Sequence, residues 1–268
     1  MIAVGLIGCG GIAQDAVAAL RNESPPPEVQ IVGALARPGR SQIAREKLPG
    51  VEMVETFDRL LALGPKLIAE VAGQQAVSQY GEAVLRNGID LLVTSVGALA
   101  DAALFERLKS AAQVGQSRII LPAGAIGGID AIAAMRMGGL SNVRYRSRKP
   151  PLAWRGTPAE KLVELATLAK AALLYRGSAR EAALLYPQNA NVAATLALAG
   201  LGFERTEVEL LADPAAPGNV HEIEVEGSAG RFAIELAGRP SRTNPKTSAL
   251  AALSVARAIR NEQAAIII

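Results

Sequence analysis

The chain has 268 residues, half of them hydrophobic and only 3% aromatic, with 28 Lys and Arg against 25 Asp and Glu for a formal net charge of +3. That much apolar surface builds a packed core and excludes global disorder, and the length suits one large domain or two smaller ones at roughly 100–200 residues each. The small basic excess is spread along the chain with few aromatics between, unlike the clustered footprint of a nucleic-acid binder.

Cys9 and His221 are the only cysteine and histidine. No intramolecular disulfide and no multi-Cys or paired-His metal site is therefore expected. The start, MIAVGLIGCG, lacks the basic n-region and long apolar core of a secretory signal. The uncharged stretch Ala182 to Phe203 is interrupted by Pro187, Gln188, Asn189 and Asn191, which suit lipid poorly. The expectation is a soluble cytoplasmic protein with no nucleic-acid or membrane partner.

In chain order, Ile2 to Ile7 reads as a buried strand, followed by Gly8-Cys9-Gly10-Gly11 and a helix to about Arg21. Strands are predicted at Val29–Leu35, Leu67–Val71, Leu91–Ser95 and Arg118–Leu121. Helices are predicted near Ser41–Leu48, Asp58–Leu63, Ser78–Asn87 and Asp101–Ala112. Apolar strands alternating with helices imply an α/β, Rossmann-type doubly wound parallel sheet, placed at residues 1–120.

Beyond that point the period becomes two. His221, Ile223 and Val225 share one strand face and Glu222, Glu224 and Glu226 the other, before Gly227-Ser228-Ala229-Gly230 turns the chain into Phe232, Ile234 and Leu236. Val143–Arg146 and Thr206–Leu210 alternate similarly. The pattern predicts an α+β domain over residues 121–243 with an open antiparallel sheet that is wet on one side. Asn244-Pro245-Lys246 reads as the start of a final helix over residues 244–261, which packs on one domain or the other.

Gly8-x-Gly10-x-x-Ala13 lies between a strand and a helix, where the dinucleotide fingerprint belongs. Gly8 permits the tight turn, Gly10 admits a pyrophosphate, and the following helix presents free N–H groups to the phosphates. At the end of the second strand Ala34-Leu35-Ala36-Arg37-Pro38 has no carboxylate for a ribose 2′-hydroxyl, and Arg37 could pair with a 2′-phosphate or be a solvated loop charge. NADP is expected to be accepted alongside NAD. Ser95-Val96-Gly97-Ala98-Leu99 and Leu121 to Gly128 follow later strands, at the carboxyl edge where such sheets bind ligands, or they pack that edge tightly. Asn189 and Asn191 cap a buried Ala-rich helix or hold a ligand, and His221 is either a satisfied core residue or a proton-transfer group.

Several collinear segments resemble the L-aspartate dehydrogenase family: Gly8 to Ala13, Ser95 to Asp101, Gly124 to Asp130, Asn189 to Leu196, Asn219-Val220-His221 and Asn244 to Ser248. The resemblance covers nearly the whole chain. It implies oxidation of L-aspartate by NAD(P) to iminosuccinate, hydrolysed to oxaloacetate and ammonia or passed to pyridine nucleotide biosynthesis. It implies His221 as the active-site histidine, Ala125 and Asn191 as cofactor contacts, a dihydrodipicolinate-reductase-like second domain and a homodimer. Gly8, Gly10, Gly11, Ile12, Arg37, Ser95 and Gly97 complete the expected cofactor set, with no metal. The two substrate carboxylates need cationic or amide partners, for which Asn189, Arg148, Lys149 and Lys246 are candidates, though the three cations could equally be surface charges. Rival readings are another two-domain aldehyde, semialdehyde or imine reductase, and a dinucleotide-sensing regulator without turnover.

Overall fold

A computed structural model of the chain describes residues 1–187, 190–244 and 247–267. The chain forms two compact units, one of Met1–Gly124 with Ser241–Thr247 and Ala251–Ile268, the other of Ala125–Pro240 with Ser248–Leu250. Among the described residues no helix is long and apolar enough to cross a membrane.

The first unit alternates β1 (Ile2–Ile7), α1 (Gly11–Asn22), β2 (Val29–Leu35), α2 (Ser41–Lys47), β3 (Met53–Val54), α3 (Phe57–Ala62), β4 (Leu67–Glu70), α4 (Gln74–Arg86), β5 (Asp90–Val93), α5 (Ala102–Gly115) and β6 (Ile119–Ile120). The strands form one sheet in the order β3-β2-β1-β4-β5-β6, every pair parallel. Chain order reverses between β1 and β4, so their carboxyl ends frame the position where a doubly wound sheet takes its ligand. In α1, Ala13, Ala16, Val17 and Leu20 recur at helical spacing and pack with Val4, Leu6, Leu67 and Ala69.

The second unit comprises α6 (Ile129–Gly138), β7 (Leu140–Lys149), β8 (Ala172–Ser178), α7 (Ala179–Leu185), α8 (Asn191–Ala199), β9 (Glu207–Ala212), β10 (Asn219–Gly227) and β11 (Gly230–Gly238). Its sheet runs β11-β10-β7-β9-β8. The expected antiparallel sheet is present with one departure: β7 and β9 pair in parallel, because β8 and two helices intervene between them and return the chain in the same sense. Period-two alternation divides the faces. Val143, Tyr145, Ser147 and Lys149 of β7 and His221, Ile223 and Val225 of β10 are buried, and α6 and α8 pack against these strands. Arg144, Arg146 and Arg148 leave the other face and pair with Glu207, Glu209, Glu222, Glu224 and Asp213.

The final helix, α9, runs Ala249–Asn261 and starts later than the Asn-Pro signal at residue 244 suggested. Thr247 N–H donates to the Asn244 carbonyl and Ser241 N–H to the Thr247 carbonyl, while Ser248 bridges Pro240. Pro245 and Lys246 of the expected helix start lie outside the described residues. Ala252, Val255, Ala256 and Ile259 of α9 then join the core of the first unit.

Candidate active site

The glycine loop is built by two different constraints. Gly8 has φ +108° and a Cβ there would stand 2.9 Å from the Ala72 Cβ, so the loop after β4 requires glycine at this position. At Gly10 a Cβ would meet nothing within 4 Å, and no side chain caps α1, whose N-cap it is. The chain's own packing leaves Gly10 open on the side where free helix N–H groups and the partial positive charge collect, which fits a dinucleotide pyrophosphate. Gly11 differs: a Cβ would lie 2.7 Å from the Thr243 Oγ1. Its bareness admits the returning segment, which Asp15 anchors by accepting from Ser241 Oγ at 2.5 Å and Thr243 Oγ1 at 3.1 Å. Ile12 is half-buried in the first turn of α1.

Glu70, at the end of β4, is fully buried. Its carboxylate accepts from the N–H groups of Ala72, Gly73 and Ser95 at 2.8, 2.7 and 3.0 Å, and from the Ser95 hydroxyl at 3.0 Å. Burial pushes its pKa up while these four donors pull it back. Glu70 therefore ties together the loops that follow β4 and β5, including the turn of 3₁₀ helix Val96–Ala100 that contains buried Gly97. Ser95 joins this clamp through both its N–H and its hydroxyl hydrogen. A carboxylate closing an otherwise apolar strand was a legible signal that the sequence reading passed over.

Arg37 is exposed in the turn after β2. A carboxylate reaches this turn from elsewhere: Glu55, just after β3, accepts from the N–H groups of Gly39 and Ser41 at 3.2 and 3.4 Å. The Ser41 hydroxyl and these N–H groups hold its pKa down. A carboxylate thus stands at the β2 turn, carried by the segment that follows β3.

In the second unit, His221 is 3% exposed and Tyr145 is fully buried. The Tyr145 hydroxyl and the His221 Nδ1 are 2.7 Å apart, and Nε2 has no hydrogen-bond partner among the described residues. Lys149 is buried on the same face, its ammonium 5.5 Å from the centre of the Trp154 ring. Burial brings the lysine down to about 8, and burial followed by the Lys149 charge brings the histidine down to about 4. This face thus presents a neutral imidazole beside a buried cation.

Of the remaining candidates, Ala125 is half-buried and Asn191 is the exposed first residue of α8. Arg148 lies on the face opposite His221, where it pairs with Glu222 at 2.5 Å, Asp213 at 3.1 Å and Glu235 at 3.5 Å. Asn189 and Lys246 lie outside the described residues. Among the described residues no cluster of three His, Cys, Asp or Glu could hold a metal ion.

Comparison with known proteins agrees with this anatomy. Residues 8–122 match the model of the homoserine dehydrogenase NAD-binding domain and residues 130–262 that of the aspartate dehydrogenase C-terminal domain. The chain is 46% identical to the L-aspartate dehydrogenase of Pseudomonas aeruginosa and covers 99% of both chains. It is 44% identical to that of Ralstonia nicotianae with the same coverage. The crystal structure of aspartate dehydrogenase from Thermotoga maritima superposes with a TM-score of 0.78 at 27% identity, covering 100% of this chain and 99% of that one. A dipicolinate-bound dihydrodipicolinate reductase from Paenisporosarcina shares the fold alone, at 13% identity and a TM-score of 0.56 over 98% of this chain and 95% of that one. A glycine loop open at Gly10, a buried histidine on an open sheet and full-length likeness at this level place the chain in the L-aspartate dehydrogenase family.

Proposed function

We propose that the chain oxidises L-aspartate with NAD or NADP, yielding iminosuccinate and then oxaloacetate and ammonia, and that it runs in both directions. The observation that carries the site assignment is the buried Nε2 of His221, without a hydrogen-bond partner among the described residues, on the same sheet face as the buried Lys149. When bound, the dinucleotide supplies the hydride acceptor at C4 of its nicotinamide ring.

Gly8 and Gly10 with the first turn of α1 hold the pyrophosphate, Arg37 and Glu55 border the adenosine ribose, and Glu70 fixes the loops carrying Ser95 and Gly97. Ala125 and Asn191 complete the cofactor contacts that the family resemblance implies. Lys149 binds a substrate carboxylate: an ammonium in apolar surroundings gains most from an anion that shares its burial. Asn189 and Lys246 are further candidates for the second carboxylate.

His221 moves the protons. The substrate amine must be neutral before hydride leaves Cα, and water must be activated to attack the imine. A carboxylate arriving beside the ring offsets the Lys149 charge and raises the histidine from about 4 toward neutrality. Proton exchange is thereby coupled to occupancy of the site by a dianion. The same reading, supported by the family likeness, has the enzyme working as a cytoplasmic homodimer.

The test is purified protein with L-aspartate and either cofactor at alkaline pH, followed by reduced-nicotinamide absorbance, with D-aspartate and L-glutamate as controls. Turnover of L-aspartate alone is expected. Silence on it with turnover of an aldehyde or another imine would replace this reading with that of a different reductase.

A further inference from the structure

Tyr145 and His221 reach each other diagonally across two strands. The register of β7 against β10 sets Tyr145 opposite Ile223 and Ser147 opposite His221, so the two aromatic side chains are next-but-one neighbours on the same face, within range for long side chains. Their rings lie 5.9 Å apart at 21°, and the phenol oxygen stands 2.7 Å from Nδ1. A carboxylate at that place could only accept, which would force a proton onto Nδ1 and favour the imidazolium. A phenol both donates and accepts, and carries no charge while burial keeps its proton in place. In a neutral pair the O–H is the stronger donor and the bare ring nitrogen the stronger acceptor.

We propose that Tyr145 is a positioning residue for His221, donating its hydroxyl hydrogen to Nδ1 so that the resting ring is held as the neutral Nε2–H tautomer. This rests on the assignment of His221 as the proton-transfer group. Nε2–H is then a buried donor with no partner among the described residues, left for an oxygen of the substrate. When the ring is protonated, Nδ1 carries the second proton and the same hydroxyl turns to accept from it; release of the Nε2 proton from that state leaves a lone pair on Nε2 to take the amine proton, and the imidazole keeps its place throughout. The charged and titratable groups on this face that bear on the ring are Lys149 and Tyr145 itself.

His221 is the only histidine, so ¹⁵N-histidine labelling gives a spectrum with a single imidazole, and the tautomer is read without any assay of turnover. The native protein is expected to show one neutral tautomer with the proton on Nε2 at about pH 7, above the histidine's range. Tyr145→Phe is expected to show both tautomers in exchange. In the same variant kcat should fall by about 10–100-fold, the scale for partners that orient a working histidine, with the cofactor KM unchanged and the acid limb of the kcat profile displaced. A native ring protonated on Nδ1, averaged tautomers in the native protein, or a variant spectrum identical to the native one would overturn the proposal. The native spectrum decides even if the variant does not fold. Loss of the catalytic reading would show differently, as full turnover by His221→Ala.

Discussion

Arg148 and Lys149 are adjacent in the chain, yet their side chains leave opposite faces of the second sheet: the guanidinium meets three carboxylates, while the ammonium is buried beside Trp154. Substitution should separate them. Lys149→Met is expected to raise KM for L-aspartate by about 10–100-fold, the scale of a lost charged contact of ~1.5–3 kcal/mol. Arg148→Met should leave KM within about twofold, because its guanidinium is held by carboxylates on the sheet face opposite His221 and Lys149. Steady-state kinetics on both variants checks this, and equal effects would return Arg148 to the site.

His221→Ala is expected to lower kcat by about 10²–10⁴-fold, the range for a positioned acid or base, with circular dichroism unchanged. A variant that loses stability but keeps its turnover would place His221 in the core and nothing more.

The same histidine predicts an acid sensitivity of the fold. Its pKa is about 4 folded against about 6.5 unfolded. Between these values the unfolded chain binds the proton and the folded chain does not, so stability falls as pH is lowered from about 6.5 to about 4, by ~3 kcal/mol in all. Denaturant titrations of native protein and His221→Gln across that interval should diverge by this amount. Parallel curves would mean that the imidazole is solvated.

The three loop glycines should fail in different ways. Gly8→Ala meets Ala72 at a positive φ and Gly11→Ala meets Thr243, so both should lower unfolding free energy by roughly 1–3 kcal/mol. Gly10→Ala enters open space and should leave the melting temperature alone while raising cofactor KM about tenfold or more, ~1.4 kcal/mol of lost binding. Melting curves together with cofactor kinetics distinguish the three.

Cofactor choice should respond to both charges at the β2 turn. Arg37→Ala is expected to raise KM for NADP about tenfold with little change for NAD. Glu55→Gln should move the kcat/KM ratio toward NADP, since it removes an anion from the border of a 2′-phosphate. An unchanged NADP KM in the Arg37 variant would leave that side chain a solvated loop charge.

What was legible beforehand was whatever depends on local period. Apolar β1 and β4, Gly8 and Gly10 between strand and helix, and the alternation that turned His221 inward with Ile223 all follow from side-chain spacing along a single segment. What was not legible depends on pairing between distant segments. Tyr145 reaches His221 only in the register of β7 against β10, which no single strand encodes. Glu55 reaches the β2 turn because β3 pairs beside β2, and Ser95 reaches Glu70 because β5 pairs beside β4. Alternation in β7 already set Lys149 apart from Arg148, but charge alone made them look equivalent until their partners were known.

The placement of α9 has a consequence for how the molecule is made. Ala252, Val255, Ala256 and Ile259 complete the core around β1 and α1, and Thr243 fills the space over Gly11, so the half translated first is finished by the half translated last. A ribosome-bound nascent chain ending near residue 124 therefore carries an uncovered apolar groove on its sheet, the kind of surface that engages chaperones or aggregates. Clipping the last twenty residues from the mature chain would recreate that exposure in a protein whose histidine-bearing half remains whole.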